Sequence, residues 1–518
     1  MMLSVFENEP YPDFSQSVPQ QKMREALAFV SGQLGKDYLV KVNGGEVKTG
    51  EKIVSINPSR PEQIIGTAYS ADAKMAENAV EIATEAFRSW SLVSAEERAG
   101  YLVKAAAIMR RRIYEFSAWL TLESSKNWLE AYADTAEAID FLEFYAREAI
   151  RWGGAHPTTP AVGEENEVRY LPLGVGAVIS PWNFPLAIMA GMTAAALVTG
   201  NTVITKPAEQ TPIIAHKFFE ILEEINLPPG VAQLLCGDGE IVGEALTGSP
   251  KVRFVCFTGS RDVGIHIYER AAKVPRGQKW LKRSILEMGG KDAIFVDEDA
   301  DLDAAADGVV AAAFGFGGQK CSACSRLIAH TAIYDVLLEK VISKASKLTV
   351  GDPAENASLG AVIDLDSYAK IRTYVNTVGV SEGRRVLGED LPETPSGGYF
   401  VSPTIFADVQ PDSRLAQEEI FGPVLSVIRC VSFEEGLSIV NGTDYGLTGA
   451  FFSNNRAHIE KAKREFHVGN FYVNRKCTGA LVDVQPFGGF NLSGTDSKAG
   501  GRDYLGLFLQ AKSVCERW

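Results

Sequence analysis

Between Arg169 and Lys206 the chain carries no charged residue, and this run limits its possible folds more than any other stretch. A membrane-spanning helix needs only about 20 apolar residues, so a transmembrane segment is one reading. Pro172, Pro181 and Pro185 break the run, with Gly174, Gly176 and Asn183 among them. Proline removes a backbone donor and clashes with the preceding helical turn. The run therefore reads as a buried strand, a turn and a buried helix.

The flanking sequence extends that alternation. Strands are predicted at Val175–Ser180, Thr202–Lys206, Val231–Cys236 and Arg253–Phe257, and helices at Leu186–Val198, Ile213–Ile225, Glu240–Thr247 and Ser260–Lys273. Strands separated by helices of this length imply crossover units and a parallel sheet of the nucleotide-binding kind. A second series follows at Ile294–Asp297, Arg326–Ala329, Phe400–Phe406, Val424–Cys430 and Gly449–Ser453. Ahead of both lie an extended lead with one helix (Gln21–Leu34) and short strands and turns from Tyr38 to Ser70. Amphipathic helices follow at Ala73–Trp90, Ser94–Arg112, Ile113–Leu122 and Asp134–Arg151. Leu505–Val514 alternates like an edge strand, which invites a second chain.

The length, 518 residues, suits roughly three domain-sized units. A net charge of -14 disfavours nucleic acid and anionic membrane surfaces as partners. Seven thinly scattered cysteines do not form a disulfide framework and fit a reducing compartment. No secretory signal is legible in Met1–Gln20, so a cytoplasmic setting is expected.

Four features carry chemistry. The helical pattern Leu302–Phe314 runs into Gly315-Phe316-Gly317-Gly318-Gln319-Lys320-Cys321. Glycines there let backbone approach a ligand, and a thiol delivered at such a point is a candidate nucleophile. Glu287, on a glycine-rich strand end, is a candidate general base if burial raises its pKa. Asn183, between Pro181 and Pro185, carries an amide that could serve an oxyanion. Lys206-Pro207-Ala208-Glu209 ends a parallel strand, where ribose hydroxyls are gripped in doubly wound sheets. Cys321 and Cys324 also form a C-x-x-C, but no second cysteine pair follows at zinc-ligand spacing. A thiol-redox or zinc reading would leave Glu287, Asn183 and Lys206 without a task.

Six stretches in register resemble the aldehyde dehydrogenase superfamily: Pro181-Trp182-Asn183-Phe184-Pro185, Lys206-Pro207-Ala208-Glu209, Phe257-Thr258-Gly259-Ser260, Glu287-Met288-Gly289-Gly290-Lys291, Gly318-Gln319-Lys320-Cys321 and Glu419-Ile420-Phe421-Gly422-Pro423. The resemblance covers nearly the whole chain. It implies an α/β fold with a Rossmann-type NAD-binding domain (1–162 and 175–287), a catalytic domain (288–498) and a small oligomerisation arm (163–174 and 499–518). It also implies a cysteine nucleophile, Cys321, with its oxyanion held by Asn183 and the Cys321 N–H. A thioester would follow, hydrolysed with Glu287 as base. Lys206 and Glu209 would contact the adenosine ribose, Gly259 and Ser260 the pyrophosphate, and Glu419 with Phe421 the nicotinamide half. Glu209 would repel a 2′-phosphate, favouring NAD over NADP.

A narrower resemblance rests on Phe314–Ala323, on Asn474-Arg475-Lys476-Cys477-Thr478-Gly479-Ala480 and on Gln485-Pro486-Phe487-Gly488-Gly489-Phe490. These stretches are similar to the 1-pyrroline-5-carboxylate dehydrogenase family, whose members oxidise L-glutamate γ-semialdehyde in proline degradation. The resemblance implies a substrate with a carboxylate opposite the aldehyde. Ser322, Gly479 and Ala480 would hold that carboxylate, Phe184 and Phe487 would pack its aliphatic middle, and Glu137 would line the pocket. Met288 stands where that family usually has leucine, and Asn127 where proline is common. A homo-oligomer and a small aldehyde substrate are expected, with no membrane, nucleic-acid or metal partner and no fused proline-oxidising domain. Another ω-semialdehyde dehydrogenase is the nearest alternative.

Overall fold

A computed structural model describes residues 3–388 and 397–518. The charge-free run folds as a strand, Val175–Ile179, an irregular turn, and a helix, Ala187–Val198, whose residues are almost all buried. Among the described residues no helix is long and apolar enough to cross a membrane.

Two seven-stranded sheets organise the molecule. The first places the parallel strands Arg283–Glu287, Val252–Thr258, Val175–Ile179, Thr202–Lys206 and Ala232–Leu234 side by side in that order. Antiparallel Val40–Val42 and Gly45–Val47 extend it. The chain steps outward from Val175–Ile179 in one direction, then returns to its other flank with Val252–Thr258. Such a reversal opens a crevice beyond the carboxyl ends of the strands. The second sheet runs Arg384–Leu387, Thr404–Ala407, Val424–Cys430, Cys324–His330, Asp292–Val296, Thr448–Phe452 and Asn470–Val473, parallel except for its first strand. A third sheet pairs Leu509–Arg517 with Glu164–Pro172.

Local chemistry fixes the helix starts. Asp72, Ser94 and Asn127 each accept a hydrogen bond from a first-turn N–H, of Met75, Glu97 and Glu130, which satisfies a donor that the helix leaves free. The Asn127 cap starts the helix at Trp128 and carries it to Trp152, so the expected start at Asp134 is corrected by more than a turn and a half. Three other expectations are also revised. The strand expected from Phe400 begins at Thr404, because Pro403 has no N–H for the ladder. The helix expected from Glu240 opens on a π-turn, Gly239–Gly243. The alternation from Leu505 is a 3-10 turn, Tyr504–Phe508, before the strand starts at Leu509. Tyr504 stacks on Tyr145 and meets Phe508 edge-on, which draws the turn into the core.

Candidate active site

Cys321 lies in the tight turn Lys320–Ala323, between the end of the helix Leu302–Phe314 and the strand Cys324–His330. Phe316, Gly317 and Gly318 before it all have positive φ, at 51°, 60° and 70°. At Gly318 a Cβ would fall 2.2 Å from the Gly422 carbonyl oxygen, so only glycine fits. The Gln319 side chain locks the turn, donating to the Phe316 carbonyl and accepting from the Ile363 N–H at 2.9 Å. The Asn183 amide donates to the Gln319 carbonyl at 3.2 Å. It is held two residues from the sulfur, buried to within 4 %.

A cleft of about 1060 Å³ opens at the carboxyl ends of the first sheet. It takes in Asn183, Lys206, Glu209, Gly259, Ser260, Met288, Cys321, Glu419 and Phe421 along one wall or another. Lys206, almost fully buried, donates to Glu209 at 2.7 Å. Ser260 caps the helix Arg261–Ala272, whose free N–H groups face an anion's natural position. Glu419 accepts from the Gly290 N–H at 3.0 Å, an approach that a Cβ on Gly289 would block at 2.2 Å. Phe421, at φ 62°, meets Trp182 edge-on with ring centres 5.4 Å apart. The size of the cleft, its helix N-terminus and its lysine–glutamate pair fit a dinucleotide.

Glu287 ends the strand Arg283–Glu287 but does not line that cleft. Its carboxylate accepts from the Ser497 hydroxyl, and the Gly489 N–H also favours its charged form. Burial pushes its pKa up to about 8, against the Ser497 bond and the Lys498 charge. Burial also pushes the Cys321 thiol well up, helped by Asp292, Glu419 and Glu287. Attack from such a thiol requires an acceptor for its proton.

The other side of the turn holds the remaining candidates. Phe184 meets Phe316 edge-on at 6.4 Å. The Lys126 ammonium sits 4.0 Å above the Phe184 ring and pairs with Asp134 at 2.7 Å, both side chains fully buried. Asp134 also accepts from the Ala187 N–H. Glu137, one turn along the same helix, is pushed up to about 8 by burial and by Asp134 and Asp140. The Ser322 carbonyl accepts from the Thr448 hydroxyl and the Cys477 thiol, which ties the turn to the loop bearing Gly479 and Ala480. Gly479 has φ 78°, and Arg475 donates to its carbonyl. The Phe487 N–H donates to the Ala499 carbonyl. None of Glu137, Phe184, Ser322, Gly479, Ala480 or Phe487 lines the large cleft.

Sequence reasoning passed over several neighbours. Ser497, Asp292 and the Lys126–Asp134 pair have no motif of their own, and Gln319 stands in the cysteine stretch with no task read for it. Cys324, the second cysteine of the C-x-x-C, is buried against Cys477 rather than facing Cys321's cleft.

The aldehyde dehydrogenase family model matches residues 46–514. The 1-pyrroline-5-carboxylate dehydrogenases of Geobacillus thermodenitrificans and Bacillus subtilis are each 54% identical over 516 residues, 99% of this chain and 100% of theirs. A crystal structure of 1-pyrroline-5-carboxylate dehydrogenase from Thermus with bound NAD superimposes with a TM-score of 0.98 and 51% identity, covering both chains completely.

Proposed function

This chain belongs to the aldehyde dehydrogenase family, and from that premise we propose that it oxidises L-glutamate γ-semialdehyde, the open form of 1-pyrroline-5-carboxylate, to L-glutamate with NAD. This is the oxidation that completes proline degradation. The observation that carries the reading is the full-length identity to dehydrogenases of this name, together with the cleft that opens onto Cys321.

In this reading Cys321 attacks the aldehyde carbon while its proton passes to a nearby carboxylate. The Asn183 amide and the Cys321 N–H hold the oxyanion of the thiohemiacetal, and such fixed donors are the largest single contribution in acyl chemistry. NAD, when bound, would supply the hydride acceptor. Lys206 and Glu209 would hold its ribose, Gly259, Ser260 and the following helix its pyrophosphate, and Glu419 and Phe421 its far half. Glu287 then takes a proton from the water that hydrolyses the Cys321 thioester. Glu209 beside the ribose position would repel a 2′-phosphate, so NAD is favoured over NADP. Ser322, Gly479 and Ala480 hold the substrate carboxylate, with Phe184, Phe487 and Glu137 around its middle.

The first sheet with its helices (1–162 and 175–287) serves as the cofactor domain, and the second (288–498) as the catalytic domain. Residues 163–174 and 499–518 form an arm for a homo-oligomer; residues 1–2 and 389–396 lie outside the described residues. A cytoplasmic setting goes with a half-buried free thiol at Cys321.

Turnover of glutamate semialdehyde, succinate semialdehyde and propanal, each with NAD and with NADP, tests the reading. We expect the highest kcat/KM for glutamate semialdehyde with NAD, and its complete loss in Cys321→Ala with NAD binding retained. A preference for succinate semialdehyde would favour a different ω-semialdehyde substrate.

A further inference from the structure

Residues 3–14 form an extended strap without helix or strand, laid along the helix Trp128–Trp152. Phe6 packs on Phe144 at one end, with ring centres 5.3 Å apart. Phe14 packs edge-on against Trp128 and Tyr132 at the other. Between these anchors the strap bonds to Asp140, which is buried to within 3 %. The Glu9 N–H donates to one Asp140 oxygen at 2.8 Å, and the Asn8 amide donates to the other at 3.1 Å. Glu9 in turn pairs with Arg110 at 2.7 Å.

The Asn8 amide has a second partner, the Val482 carbonyl, also at 3.1 Å. One side chain thus joins two elements that no strand or helix connects. Asp140 lies three residues from Glu137, so the two are neighbours on one helix face. Val482 lies two residues past Ala480, in a loop whose next N–H, that of Asp483, donates to the Gly500 carbonyl. Tyr11, half exposed, lies near Glu137, Asp140 and Glu130, and partial burial with those carboxylates pushes its phenol up. Only a primary amide suits the position of Asn8. It supplies two N–H donors to two acceptors, whereas a carboxylate has none to give.

We propose that Asn8 is a positioning residue that sets the distance between Glu137 and the Gly479–Ala480 turn, and so the fit of an aldehyde that carries a carboxylate at its far end. This rests on the substrate reading given above. The strap touches neither Cys321 nor the dinucleotide cleft, so its effect falls on substrate selection and leaves hydride transfer and deacylation alone.

The test compares Asn8→Ala and Asn8→Asp with the parent enzyme, measuring KM and kcat for glutamate semialdehyde, propanal and NAD. Asn8→Asp keeps the shape but removes both donors and sets a carboxylate against Asp140. Both variants should raise KM for glutamate semialdehyde by about 3- to 10-fold, the consequence of losing roughly one hydrogen bond. The constants for propanal and NAD should stay within error. Equal rises for both aldehydes, or none, would overturn the proposal, as would failure of both variants to fold, which would mark the strap as purely structural. If the parent enzyme itself does not oxidise glutamate semialdehyde, the substrate reading falls and this proposal with it. A competent parent with unaffected variants sinks this proposal alone.

Discussion

Glu287 and Ser497 show how far a single residue's chemistry depends on its surroundings. The carboxyl is raised to about 8 by burial, and the Ser497 hydroxyl opposes that rise by stabilising the charged form. A general base works only ionised, so thioester hydrolysis should speed up as pH climbs through about 8. Removing the hydroxyl in Ser497→Ala takes away a bond that favours the anion, so the same limb should move to higher pH. Stopped-flow measurement of deacylation against pH checks both; a profile that is flat from 6 to 9, to within about a tenth, would exclude Glu287 as the base. Glu287→Gln should release one burst of NADH and then stall. Cys321, Asn183 and Glu287 stood out in the sequence as candidates because each sits in a short glycine- or proline-bounded stretch. Ser497 was not legible, because nothing local in Gly494–Lys498 announces a partner on a strand 210 residues away.

At the level of elements, the helix Trp128–Trp152 does the most to shape the substrate side. Its cap at Asn127 and its buried ion pair from Asp134 to Lys126 fix where Phe184 and Glu137 lie. Breaking a buried pair leaves an uncompensated charge, at a cost of about 3–5 kcal/mol. Lys126→Met should therefore lower stability by about that amount in chemical denaturation, while adding Asp134→Asn should recover part of it. A loss under about 1 kcal/mol would show that the pair is already relaxed by water. Periodicity located this helix but not its first turn and a half, since Trp128 to Ala133 gives no clear polar face. Only the Asn127 cap marks the beginning. The strand expected from Phe400 was likewise placed too early, and Pro403 was the residue that decided its start at Thr404.

For the whole molecule, the strand Leu509–Arg517 is the clearest unpartnered feature. It pairs with Glu164–Pro172 on one side, is exposed along most of its length, and ends beside exposed Trp518. Unpaired strand edges invite another chain. The full chain should sediment as a dimer or larger, and a chain ending at Phe508 should shift toward monomer; a monomeric full chain would remove the proposed arm. The order of strands and helices was readable along the sequence, because alternating apolar segments separated by helical ones admit few topologies. So was the glycine turn before Cys321, where Gly318 leaves no room for a Cβ. Only the tertiary structure decided that burial raises the Cys321 thiol, that Cys324 belongs with Cys477, and that an N-terminal amide spans two distant segments. The reason is physical. Backbone preference and apolar period act over a few residues, whereas burial, charge and hydrogen-bond partnership depend on atoms that meet only after the chain has folded.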